Sequence, residues 1–178
     1  MRRKSVFAAF ALAILSASAQ AQSGGSDAED DPEKGTWQEI QAQIPAYPKP
    51  ENLAYLPAGK STSHRFYIDT TSLALGEDGV MRYTSVVKTS GGATNVTFEG
   101  MRCETRQQKL YALGRSDGTW VRARNPQWQS IQFRELAPHH YVLYREYFCP
   151  ARSRPTRPQQ AAEALKRGGG LAGGATAY

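Results

Sequence analysis

The chain has 178 residues, with 22 Lys and Arg against 16 Asp and Glu and a formal net charge of +6. That length supports one domain with tails. It excludes barrels of the triosephosphate-isomerase type, two-lobed kinases and most doubly wound enzymes, which need more chain.

Met1-Arg2-Arg3-Lys4 is a basic start, Val6 to Leu15 an apolar stretch, and Ala17-Ser18-Ala19 or Ala19-Gln20-Ala21 a small-residue cleavage box. These parts, in that order, predict an export leader over residues 1–21. The apolar stretch is half the roughly twenty residues a spanning helix needs, so no membrane span is expected. No cysteine follows it to take a lipid anchor, and the product reads as soluble, in the periplasm or secreted. Residues 22–35 carry Asp27, Glu29, Asp30, Asp31 and Glu33 against Lys34 alone. Nothing apolar there can be buried, which predicts an acidic disordered arm.

A domain is expected over residues 36–150. Thr36, with Glu39 three residues on, has the form of a capping box for a short helix ending near Pro45. Pro45, Pro48 and Pro50 then impose an extended crossing up to Leu53-Ala54-Tyr55-Leu56. Short strands follow: Phe66 and Ile68; Met81, Tyr83 and Val87 after the Glu77-Asp78-Gly79 turn; Val96 and Phe98 after Gly91-Gly92; Leu110 to Leu113; and Trp120, Val121 and Ala123. No helical period separates them, so they predict an antiparallel meander. Apolar positions change parity after Gly100, to Met101 and Cys103, as a β-bulge would cause. Asn125-Pro126 starts a helical turn carrying Trp128 and Ile131. Pro138 to Pro150 reads as a helix, with His140, Leu143, Tyr144, Tyr147 and Phe148 at helical spacing, although Tyr141, Leu143, Tyr147 and Cys149 also fit one strand face. Residues 151–178 are basic and rich in Gly, Ala and Pro, and are expected to stay disordered. The predicted core is Met81, Tyr83, Val87, Val96, Phe98, Leu110, Trp120, Leu143 and Tyr147.

Cys103 and Cys149 are the chain's two cysteines. Outside the cytosol an even count pairs, so a structural disulfide is expected. A redox pair would need Cys-x-x-Cys, and zinc ligation with His139 and His140 is disfavoured because adjacent histidines point apart. No cofactor and no metal is expected.

Gly114-Arg115-Ser116-Asp117-Gly118 matches the hydrolase pattern Gly-x-Ser-x-Gly, with His139 or His140 as the base. A nucleophile elbow needs a helix after the serine, whereas Thr119-Trp120-Val121 reads as a strand, so a hairpin turn is expected there. His139 and His140 read as polar surface. Arg102, Arg115, Trp120 and Arg122 form the candidate binding set, within a basic and aromatic surface that also holds Arg106, Lys109, Arg124 and Trp128. Such a surface suits an acidic envelope polymer; an exported protein meets little nucleic acid. An unknown protein partner, or a homodimer through a sheet edge, is the other expectation.

The runs Phe66-Tyr67-Ile68-Asp69, Asp78-Gly79-Val80, Arg82-Tyr83, Gly100-Met101-Arg102-Cys103, Gly118-Thr119-Trp120 and Phe148-Cys149-Pro150 resemble the cryptic neisserial protein-like family of exported β-proteobacterial proteins. The resemblance covers about Trp37 to Pro150, and that family has no described activity. A more distant similarity is to surface adhesin E, through a strand ending in Arg-Cys and a closing segment with the second cysteine. It implies an α+β fold: an antiparallel sheet of about six strands with a C-terminal helix pinned by Cys103–Cys149. The functional expectation is an exported, non-enzymatic binding protein.

Overall fold

In a computed structural model, seven strands make one antiparallel sheet. They are β1 Leu53–Leu56, β2 Arg65–Leu75, β3 Val80–Lys88, β4 Thr94–Arg102, β5 Gln107–Gly114, β6 Trp120–Arg122 and β7 Gln129–Ser130. The first six follow chain order across the sheet, and β7 pairs with β5 beside β6. Residues 37–58, 63–131, 138–152 and 154–171 are described, all within one compact unit. The leader and the acidic arm lie outside them.

One face of the sheet carries the main core. Leu56, Ile68, Met81, Tyr83 and Met101 point to that face and are fully buried. The closing segment covers them: helix α1 Pro138–Val142 runs on as a π-helical stretch, Leu143–Phe148, burying Leu143, Tyr147 and Phe148. Cys103, just past β4, is bonded to Cys149 at the end of this segment (S–S 2.05 Å). The expected α+β fold, closing helix and disulfide are therefore present.

A second helix corrects the expected disordered tail. Helix α2, Pro158–Arg167, buries Ala161, Ala164 and Leu165 in the main core. Pro158 opens it, where no N–H is needed. Gly168 closes it at φ +68°, its N–H reaching Ala164 and Leu165 carbonyls.

The opposite face has a smaller cluster, Ala42, Phe98, Tyr111 and Ala112, with Ile44 and Trp120 against it. This explains the parity change at Gly100 without the expected bulge in β4. The β3–β4 ladder is unbroken from Val80↔Arg102 to Lys88↔Thr94. Phe98 faces the small cluster, while Met101 and Cys103 face the main core. The bulge is on β5: Phe98 opposes Ala112 and Glu99 opposes Leu110, leaving Tyr111 as the extra residue. Gly100 makes room for it, since a Cβ there would lie 2.6 Å from the Tyr111 hydroxyl.

Three further expectations change. Trp37 to Pro45 is not helical: the Ile40 N–H and C=O bond instead to the side chains of Asp78 and Arg82. Trp128 and Ile131 flank β7 rather than a helical turn. Leu110 is half-buried and belongs to neither cluster. Val87 is partly buried against the main core, and the other predicted core residues lie in or against the two clusters or, for Val96, are buried beside them.

Candidate functional site

The outer face is built around a segment without regular structure, Trp37 to Tyr47. Asp78, in the β2–β3 turn, anchors it. Its Oδ2 accepts the Ile40 N–H (2.9 Å) and its carbonyl accepts the Trp37 indole N–H (2.9 Å). Arg82 on β3 donates both η-nitrogens to the Asp78 carboxylate (3.0 and 2.6 Å) and also bonds the Ile40 carbonyl (2.7 Å). Burial raises the Asp78 pKa, but the Arg82 guanidinium and the Ile40 and Val80 amides outweigh it and hold the group low. This bidentate, desolvated pair fixes where the segment enters the sheet.

Glu39 makes the second anchor. It accepts Lys109 Nζ (2.6 Å), the Tyr111 hydroxyl (2.8 Å) and the Trp128 indole N–H (3.1 Å). Burial again works against the carboxylate, and these three donors bring its pKa below the ordinary value. Trp37 and Trp128 meet edge to face at 5.9 Å. The Arg102 guanidinium lies 3.5 Å from the Trp37 ring centre and 5.9 Å from that of Trp128. Strand register puts Arg102, Trp120 and Arg122 on this same face. They do not converge. Arg102 lies opposite Gln107 at one end of β5, while Trp120 and Arg122 lie opposite Gly114 and Ala112 toward the other. Trp120 packs between Tyr47 (5.3 Å) and Phe98 (6.4 Å). Arg122 is exposed and lines an open cleft of about 300 Å³ together with Glu39, Lys109 and Tyr111. Arg115 is exposed in the β5–β6 turn, where its carbonyl accepts the Tyr47 hydroxyl (2.7 Å).

A family model described as the CNP1-like family matches residues 32–166. The chain belongs to the CNP1-like family. The matched span includes the outer-face segment and nearly all of α2, farther in both directions than the motifs in the sequence reach. No curated protein and no solved structure matches the chain.

The inner face holds a charged cluster that sequence reasoning missed. Glu99 on β4 points into the main core and accepts the Tyr83 hydroxyl (2.8 Å) and the Thr97 hydroxyl (2.6 Å). His140 Nε2 lies 2.7 Å from the same carboxylate. Burial opposes the charge on Glu99, yet the His140 charge and these hydrogen bonds bring its pKa down to about 2. His139 stacks on Phe66 (4.6 Å, 10° between planes) and lies 4.0 Å from the His140 ring. Desolvation, then the neighbouring His140 charge, lowers the His139 pKa to about 4. Thus the pair read as polar surface is half-buried and seats α1 on the sheet. The His-His spacing held no signal for this, because the partner Glu99 is about 40 residues away.

Ser116 sits in a hairpin turn closed by Arg115 N–H to Thr119 O (2.8 Å), with Gly118 at φ +83°, and β6 follows it rather than a helix. Among the described residues, no group of three His, Cys, Asp or Glu could hold a metal ion, and no helix is long and apolar enough to cross a membrane.

Proposed function

We propose that this CNP1-like protein acts outside the cytosol as a non-catalytic binding module for an acidic partner, an envelope polymer or the acidic surface of a protein. One observation carries the reading. Arg102, Arg115, Arg122 and Arg124 make no salt bridge with any described residue, whereas Arg82 and Lys109, beside the same segment, are each matched to a carboxylate. Unmatched guanidiniums attract oxyanions, and Arg102, over the Trp37 ring, adds a planar face of its own. The leader-like N-terminus and the Cys103–Cys149 bond support an oxidising compartment.

The test is retention of the oxidised protein on immobilised heparin, a stand-in polyanion. Charge-driven binding is screened, so elution is expected to move with salt. Arg115→Glu with Arg122→Glu is expected to elute at clearly lower salt while keeping the parent's unfolding midpoint, since both side chains are exposed. Retention that ignores salt, or a double variant that elutes with the parent, rules the proposal out.

A further inference from the structure

The two edges of the sheet are unlike. At one, β6 and β7 share β5. At the other, β1 pairs with β2 on one side and with no described strand on its other side.

Which β1 amides face outward follows from the phase of the neighbouring ladder. Between Asp69 and Ala74 the β2 register breaks, and the Ser72 hydroxyl enters the gap. It donates to the Asp69 carbonyl (2.8 Å) and accepts the Thr84 N–H (2.8 Å). Asp69 therefore turns its backbone groups toward β3. Alternation then turns those of Ile68 and Phe66 toward β1, where they meet Ala54 and Leu56. Leu53 and Tyr55 are left pointing away from the sheet. The Leu53 N–H is taken by the Pro50 carbonyl. The N–H and C=O of Tyr55 have no partner among the described residues.

The surroundings of this edge form an open groove. An open cleft of about 360 Å³ runs between β1 and the end of α2, lined by Glu51, Asn52, Tyr55, Leu165, Lys166 and Arg167. Tyr55 is 53% exposed and its ring meets Tyr67 edge to face at 5.8 Å, an apolar platform beside the open backbone. Lys166 makes no salt bridge with a described residue. Arg167 has only Glu163, at 3.7 Å with both side chains two-thirds exposed, a pair that water largely screens.

We propose that the β1 edge binds an extended peptide segment of a partner protein, adding it as a strand beside Tyr55, with an acidic side chain set against Lys166 and Arg167. Four residues of β1 limit the added strand to a short stretch, and Pro57 ends it. A second copy fits less well. Two β1 edges paired about a twofold axis would bring Lys166 and Arg167 of both molecules to the same short stretch. The inference is independent of the outer-face reading, because it uses the opposite edge of the sheet.

The experiment is an amide-shift titration of the oxidised chain with three capped octapeptides. One alternates valine with glutamate, one alternates valine with lysine, and the third is the glutamate peptide with every second amide N-methylated. The glutamate peptide is expected to shift Leu53–Leu56 and residues 165–168. The other two are expected to bind about tenfold more weakly, from lost charge pairing or lost main-chain bonds. Lys166→Glu with Arg167→Glu, both exposed, is expected to reverse the preference toward the lysine peptide, whereas Arg115→Glu with Arg122→Glu leaves it unchanged. Equal binding of all three peptides, no binding, or shifts elsewhere overturns the proposal. So does self-association that perturbs the same residues while the glutamate peptide does not bind, which assigns the edge to a second copy.

Discussion

Glu99 is a carboxylate held where a sheet and a helix close on each other, and both of its histidine neighbours bear on stability. Its folded pKa, about 2, is below the ordinary 4.5, so its stabilising contribution is complete above 4.5 and is lost as pH falls toward 2. His139 acts over a higher window. Its folded pKa of about 4 is below 6.5, so the unfolded chain takes the proton first and stability falls as pH drops from 6.5 to 4. The full loss is about 3 kcal/mol. His139→Phe keeps a ring on Phe66 and removes the titration. Urea midpoints of this variant are therefore expected to decline less across that window than the parent's, the remainder belonging to carboxylates such as Glu99; a parallel decline would remove His139 as the cause. His140→Ala removes the ring nitrogen 2.7 Å from the buried Glu99 carboxylate and is expected to cost about 1–3 kcal/mol. At this scale the sequence shows which residues can alternate into a core, as Met81 and Tyr83 do. It does not show that Glu99, at the same parity as Met101 and Cys103, goes inward too. A buried carboxylate depends on partners from distant elements, and neither Tyr83 nor His140 identifies itself as one.

Among the elements, α2 shows how a complete local signature can be outweighed by composition. Pro158 at the start, Ala161, Ala164 and Leu165 at helical spacing, Lys166 and Arg167 in the last turn and Gly168 after it are the marks of a helix. The surrounding arginines, prolines and glycines suggest a disordered tail instead. Small residues decide the matter physically: alanine at 161 and 164 lets the helix approach β1 and β2 closely, so little bulk is needed. Leu165→Ala is expected to cost about 2–4 kcal/mol in chemical denaturation, against less than about 0.5 for the exposed Lys166→Ala. Equal effects would mean that α2 is not part of the cooperative unit. The closing helix was readable and its widening was not. Cys149 N–H bonds Tyr144 O, five residues back. The wider turn lets Leu143, Tyr144, Tyr147 and Phe148 all face the sheet, a demand of the core rather than of local preference. Likewise Trp37 to Pro45 gives up helix because Asp78, Arg82 and Lys109 offer its backbone and Glu39 stronger partners.

For the whole molecule, the Cys103–Cys149 bond ties the end of β4 to the end of the closing segment and encloses a loop of 46 residues. Two roles can be separated. The bond either holds the closing segment in place or mainly restricts the unfolded chain. Packing argues for the second. Leu143, Tyr147 and Phe148 are fully buried against Tyr83 and its neighbours, and Phe148 meets Tyr83 ring to ring at 5.0 Å. The chain beyond the bond is tied independently, by Thr156 N–H to Phe148 O (2.7 Å) and Leu171 N–H to Glu146 O (2.6 Å). These contacts do not need the sulfurs. Cys103→Ser with Cys149→Ser is therefore expected to keep the parent's amide spectrum outside the immediate surroundings of the two positions. Its unfolding free energy is expected to fall by about 4 kcal/mol, the chain-entropy value for a loop of this length. That loss is a large part of the roughly 5–15 kcal/mol that holds a domain of this size. Reduced protein that keeps the sheet signals but loses those of residues 138–167 would assign the bond the first role, and the buried rings would then not suffice to seat the helices.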